Sequence, residues 1–178
     1  MKKIVLAVSS SISAYKSCDL SRLFVKAGYD VHVCLTDHAA KLVSPLTLEA
    51  LTGNPVYSDE TLWEKRQMGH IALKEDASIF IVAPATANLI GKFANGIADD
   101  LVSTTFLAMT CPVMVAPAMN PNMYAHPAVQ GNIAKLRGWG VHIVEPESGL
   151  VACGDEGKGR LADINIIFEA ACSVINSK

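Results

Sequence analysis

The chain has few of the features that would place its 178 residues in a specialised class. Its five cysteines, Cys18, Cys34, Cys111, Cys153 and Cys172, form no C-x-x-C pair, which argues against zinc knots and dithiol redox centres and leaves no metal expected. An odd, scattered set of thiols suits a reducing compartment in which they stay free. No apolar run reaches the roughly 18 residues of a membrane span. The opening MKKIVLAVSSSISA has the lysines and small residues of a secretion signal, but the apolar run at residues 4–8 is shorter than the roughly 7–15 residues such a signal needs. A cytoplasmic chain without membrane contact is therefore expected. A formal net charge of −2 gives no footprint for nucleic acid. Aromatic residues make up only 6% of a chain that is 51% hydrophobic, so the core is aliphatic, as in sheets covered by helices on both faces. Two phosphate-binding signatures, G-x-G-x-x-G and G-x-x-x-x-G-K-[ST], are also missing.

Strand and helix patterns alternate from end to end. KIVLAVS reads as a strand buried on both faces, and ISAYKSCDLSRLFVKAG as a helix closed by Gly28. DVHVCLT is a second strand. SPLTLEALTG is a helix with Ser44 at its cap, Pro45 at its first position and Gly53 at its end. Residues 54–69 look irregular. ASIFIVAP is a strand, ATANLIGKFANG and ADDLVSTTFLAM are helices that meet near Gly96, and PVMVAPAMN is a strand. HPAVQGNIAKLRGWG is a helix capped by His126 or Asn122, VHIVEP a last strand, residues 146–160 a polar glycine-rich loop and DINIIFEAACSVI the closing helix. Strands separated by helices need crossover connections, which are right-handed in nearly all cases. The expected fold is α/β, a Rossmann-like (flavodoxin-like) open, mostly parallel sheet with helices on both faces, forming one domain over residues 1–178.

Ligands of such sheets bind outside the carboxyl ends of the strands, which directs attention to residues 9–13, 36–38, 84–88 and 116–124. The first loop, SSSIS, carries serines where a dinucleotide fold carries glycines. Hydroxyls and amides at a helix start suit a single terminal phosphate, though a serine N-cap explains the same residues. Thr36 closes a strand at the binding edge, or caps a turn. Pro84 and Pro117 mark points where the chain is expected to leave the sheet, carrying Thr86, Asn88 and Asn120 towards a crevice, although isolated asparagines are often turn formers. Asp99 and Asp100 read as helix-start acids. His32 and His142 lie within strands, whereas His70, in irregular chain, is better placed for acid–base work. Cys153 stands in VACGDEGKGRL, between small residues and a run of glycines. A catalytic thiol would need a neighbouring base, which spacing does not reveal.

Taken together, SISAYK, HIAL, APATANLIGKFANGIADDLVST, APAMNPNMY and ACGDEGKGRL resemble, in the same order and over nearly the whole chain, the homo-oligomeric flavin-containing cysteine decarboxylases. The resemblance is to the branch that serves coenzyme A synthesis. The specific signatures are P-x-M-N-x-x-M, at Pro117, Met119, Asn120 and Met123, and A-C-G-D-x-G-x-G. The resemblance implies bound FMN, with Ser11, Ile12 and Ser13 at its phosphate, Thr36, Asp37 and His38 beside it, and Thr86, Ala87, Asn88, Leu89 and Ala118 along the flavin. It implies His70 and Cys153 as catalytic residues, with Cys153 a proton donor on a substrate-covering loop. Asn120 would hold the substrate carboxylate, and Ala152 and Met123 would also contact substrate. The implied reaction converts 4'-phosphopantothenoylcysteine to 4'-phosphopantetheine by transient thiol oxidation, loss of carbon dioxide and return of the electrons. Alternatives within the same superfamily are a peptidyl-cysteine decarboxylase and a non-catalytic flavin-binding regulator. The resemblance further implies a homotrimer or a multiple of trimers. It also implies a phosphopantothenate–cysteine ligase, either as a separate partner or as a domain removed from this chain. One departure is Ser10, where the family usually has glycine in the first loop.

Overall fold

The computed structural model of the chain describes residues 1–60, 68–150 and 154–177. Five strands form its central sheet: β1 (Lys3–Val8), β2 (Asp30–Leu35), β3 (Ala77–Ala85), β4 (Val113–Pro117) and β5 (His142–Ile143). They lie in the order β2-β1-β3-β4-β5, and every neighbouring pair is parallel. Successive side chains of a strand point to opposite faces, and β1 divides accordingly. Ile4, Leu6 and Val8 belong to one core, Val5 and Ala7 to the other. Both faces are covered, which is why the strand sequences read as unbroken apolar runs.

One face is packed by α1 (Lys16–Lys26), α2 (Pro45–Thr52) and α8 (Ile164–Asn176), which contribute Leu20, Phe24, Leu48, Ile167 and Ala171. The other is packed by α3 (Gly69–Lys74), α4 (Ala87–Asn95), α5 (Leu101–Ala108), α6 (Pro121–Ala125) and α7 (Pro127–Gly138). Leu73, Ile90, Phe93, Leu101, Tyr124 and Leu136 fill that core, and the rings of Phe93 and Phe106 stack 4.0 Å apart, joining α4 to α5. Gly53 and Gly96 adopt left-handed backbone at the ends of α2 and α4, with φ of 73° and 66°, a conformation that glycine reaches without steric cost. Asp100 caps α5, accepting from the Ser103 amide at 2.7 Å while the Ser103 hydroxyl accepts from the Asp100 amide. Burial opposes its ionisation, but the hydrogen bonds from Lys92 and Ser103 outweigh that and hold its carboxyl below the usual range. Burial also pushes the Cys34 thiol up, so it is an unreactive filler of the core.

Several local expectations change. The first helix opens as a 3-10 turn, Ile12–Tyr15, before α1 begins. Ser44 takes the cap position of α2, but its side chain makes no capping hydrogen bond. His70 lies on the short helix α3, not in irregular chain, because the apolar spacing of Leu73 against α5 orders that segment. Pro84 stays within β3, which runs on to Ala85 across a shift in register. β5 is only two residues long. Residues 146–160, expected as a loop, contain two antiparallel strands, β6 (Glu147–Leu150) and β7 (Glu156–Arg160). Their glycines hid the strand pattern. Among the described residues no helix is long and apolar enough to cross a membrane.

Candidate active site

Strand order reverses direction between β1 and β3, because the chain leaves β1 to build β2 on one side and returns to build β3 on the other. The connections after β1 and β3 therefore diverge and open a crevice at their carboxyl ends. Ser9, fully buried just past β1, fastens the two sides of this crevice. Its hydroxyl donates to the Pro84 carbonyl at 2.8 Å and accepts from the Thr86 amide at 3.0 Å. On the far side, the Ala118 amide donates to the Ala85 carbonyl at 2.9 Å, carrying the β3–β4 pairing past the end of β4.

The resulting cleft has a volume of about 660 Å³. It brings together Ser11, Ile12 and Ser13 from the first connection, Thr86, Ala87 and Asn88 from the third, and Ala118, Asn120 and Met123 from the fourth. Three of these polar residues also serve the local backbone. The Ser11 hydroxyl accepts from the Ser13 amide at 3.3 Å at the start of the 3-10 turn. The Thr86 hydroxyl accepts from the Leu89 amide at 3.4 Å at the start of α4. The Asn120 carbonyl oxygen accepts from the Asn122 amide at 2.8 Å at the start of α6. Capping and cleft lining thus coincide, because a helix that starts at the binding edge presents its cap residue there.

Other expected residues lie elsewhere. Leu89 is buried in the core beneath α4. Thr36, Asp37 and His38 follow β2, outside the cleft lining, and the Thr36 hydroxyl accepts from the Ala39 amide at 3.3 Å, which is its capping role. His70 is half-buried on α3, also outside the cleft lining, and its buried Nδ1 has no hydrogen-bond partner among the described residues. Ala152 and Cys153 lie outside the described residues.

The cleft also includes Ser10 and Met119, from the connections at 9–13 and 116–124 already singled out, and Tyr15, Lys16, Leu150, Gly159 and Arg160, which the sequence reading did not place there. Tyr15 and Lys16 follow Ile12 around the first helical turn, so helical spacing carried that signal. Leu150, Gly159 and Arg160 arrive only because β6 and β7 pair and lie across the fourth connection.

That pair of strands is tied down closely. The Met119 amide donates to the Gly159 carbonyl at 2.9 Å. A Cβ at Gly159 would stand 2.3 Å from the Met119 carbonyl oxygen, and one at Gly157 would stand 2.8 Å from Cβ of Pro121. Glu145 gathers Arg137 from α7, Lys158 from β7 at 2.6 Å and the Tyr124 hydroxyl from α6 at 2.8 Å. Arg160 pairs with Glu147 at 2.7 Å, and its hydrogen bond holds the Glu147 carboxyl below the usual range. Lys158 and Arg160 are therefore engaged by carboxylates of this chain. Among the described residues, no group of three or more His, Cys, Asp or Glu side chains is arranged to hold a metal ion.

Comparison with known proteins agrees with this architecture. A protein family described as Flavoprotein matches residues 1–176. Over 171 residues, the chain is 46% identical to a probable phosphopantothenoylcysteine decarboxylase of Streptococcus mutans, a match covering 94% of this chain and 96% of that one. It is 48% identical over 172 residues to a coenzyme A biosynthesis bifunctional protein of Bacillus subtilis, where the match covers 96% of this chain but only 42% of the relative. Among solved structures, the FMN-dependent cysteine decarboxylase TvaF from thioviridamide biosynthesis superposes with a TM-score of 0.85 at 31% identity, covering 98% of each chain.

The contact at residue 159 yields a direct prediction. Gly159→Ala places a methyl against backbone that cannot move aside as a side chain would, so β7 must lift from residues 119–121. The variant is expected to lose about 1–3 kcal/mol of stability in denaturant unfolding, the usual cost of overpacking, and to lose most of its turnover. A variant as stable and as active as the native chain would show that this close approach does not position the site.

Proposed function

The chain belongs to the flavoprotein family, and from that premise we propose that it is an FMN-dependent decarboxylase that converts 4'-phosphopantothenoylcysteine to 4'-phosphopantetheine in coenzyme A synthesis. The observation that carries this reading is the cleft at the β1/β3 reversal, where the P-x-M-N-x-x-M segment meets the serine-lined helix start. Support comes also from the 46% identity to the S. mutans relative of that name and from the likeness to an FMN-dependent cysteine decarboxylase. The chain spans 42% of the length of the bifunctional relative, and a phosphopantothenate–cysteine ligase is proposed as the partner that makes its substrate.

The residues present suit FMN. The volume of the cleft, about 660 Å³, lies within the range of small-molecule sites. One end offers the Ser11 and Ser13 hydroxyls at a helix start, a setting for a terminal phosphate. The opposite walls carry the small side chains of Ala87 and Ala118 beside Thr86 and Asn88, which leaves room for a flat ring. Thr36, Asp37 and His38, at the end of the strand beside β1, are proposed as outer neighbours of the phosphate, and Leu89 as the support beneath the ring site.

Loss of carbon dioxide from an ordinary amino-acid carboxylate leaves an electron pair with no stabilising acceptor. Bound FMN supplies the reversible two-electron acceptor that this chemistry needs. The chain's own residues then bind and orient. The Asn120 amide holds the departing carboxylate, with Met123 and Ala152 beside it. His70 assists the early proton movement, and the Cys153 thiol delivers the closing proton to the product carbon. Because α3 places His70 outside the cleft of its own chain, its role requires a neighbouring copy. Ile12, Tyr15, Met123 and Leu150 stand 65%, 60%, 49% and 68% exposed around the cleft. Such a rim of apolar residues suits burial against a second chain, and a homotrimer is proposed. Sedimentation of the holoprotein at three chain masses is the expected result, and a fully active monomer would remove the assembly from the account.

Mass analysis of the product tests the reaction. The native holoprotein is expected to release carbon dioxide and 4'-phosphopantetheine. Cys153→Ser is expected to release carbon dioxide but to leave a product two hydrogens poorer, the enethiol. No carbon dioxide from the native holoprotein would overturn the reading, and normal phosphopantetheine from Cys153→Ser would remove the proton-donor role.

A further inference from the structure

We infer that Asp155 is an internal stand-in for the substrate carboxylate, held by Asn120 in the ligand-free chain and exchanged for the substrate on binding. This rests on the placing of Asn120 at the substrate carboxylate under Proposed function.

Asn120 lines the cleft, and the orientation of its amide is fixed. The oxygen is committed to the Asn122 amide at 2.8 Å, so the side-chain nitrogen is the group left to meet an anion. That nitrogen donates to a carboxylate oxygen of Asp155, which stands just before β7. The pairing of amide donor with carboxylate acceptor is the one the substrate would make. Asp155 is brought to it by the strand that follows. That strand is held on residues 119–121 by the Met119–Gly159 hydrogen bond and by contacts so close that only glycine fits at 159. Lys158 and Arg160 are tied to Glu145 and Glu147, so neither cation of β7 is available to neutralise an added anion.

A substrate carboxylate arriving at Asn120 therefore meets an amide that already donates to a like charge. Two carboxylates on one amide repel each other, and that repulsion favours release of Asp155. Once carbon dioxide has left, the product has no anion at this end, and the Asn120–Asp155 pair can re-form. Asp155 thus moderates affinity for the carboxylated ligand alone. It restrains ground-state binding that would not speed the reaction and favours a bound state that the product does not need to disturb.

The test is calorimetric binding to the FMN-loaded protein. The ligands are S-methylated phosphopantothenoylcysteine, whose blocked sulfur prevents turnover, and its decarboxylated counterpart. In Asp155→Asn the carboxylated ligand is expected to bind about tenfold more tightly, the scale of one hydrogen bond to a charged group, while the decarboxylated ligand binds as before. Asp155→Ser, at the same exposed position, is expected to behave alike, so a folding defect in one variant does not decide the matter. Equal shifts for both ligands, or no gain for the carboxylated one, would overturn the exchange. Asn120→Ala separates this inference from its premise. If that variant weakens only the carboxylated ligand while Asp155→Asn has no effect, the exchange alone is wrong. If it leaves carboxylate affinity unchanged, Asn120 does not hold the carboxylate, and the premise falls with the inference.

Discussion

The hydrogen bonds of Ser9 across the β1/β3 reversal are the constraint on which the site depends. A parallel sheet that builds outward in both directions from its first strand must part its connecting loops at that point. Without the Ser9 hydroxyl, the Thr86 amide would be left unpaired beside the crevice, and buried polar groups left unpaired are costly. Ser9 satisfies the Pro84 carbonyl and the Thr86 amide with one hydroxyl. It thereby sets the separation between the serine-rich helix start and the start of α4, the two walls that a flat ligand must fit between. The cleft is a consequence of topology, and the residue that fixes its width is not one that would touch a ligand.

A second constraint closes the other side. Residues 119–121 lie between α6, whose start Asn120 caps, and β7, whose glycines allow backbone to touch backbone. Glu145 joins α6, α7 and β7 in one ionic cluster around Tyr124. These contacts are partly exposed, and their ion pairs add little stability individually. Their effect is geometric, because they fix where β7 stands relative to Asn120. The positioning of a side chain such as Asp155 follows from glycines several residues away.

Much of the fold could be read from the chain itself. The apolar runs of β1 and β3, the glycine closing α2 and the proline opening it all signalled their elements, because a doubly covered sheet leaves little ambiguity. The place of Asp100 at the start of α5 was likewise visible as a helix-start acid. The pairing of β6 with β7 was not. Their sequences, ESGL and EGKGR, lack alternating apolar residues, and their pairing and docking are long-range. The short helix carrying His70 was missed because its packing against α5 is tertiary. Of the site, the cleft residues at positions 11–13, 86–88, 118 and 120 followed from the rule about strand ends together with the quoted motifs. Leu150 and Arg160 could not follow, since local pattern carries no trace of a strand pair folding back over the fourth connection.

The central claim is that the cleft at the strand reversal is where FMN binds. Titration of flavin-free protein with FMN, followed by flavin fluorescence, tests it most directly when the native chain is compared with Ala87→Phe. Residue 87 is only partly buried at the start of α4, so the larger ring would project into the cleft without entering the core. The account predicts saturation at one FMN per native chain and no binding by the variant, with the far-ultraviolet circular dichroism of the two unchanged. Equal binding by both would contradict it.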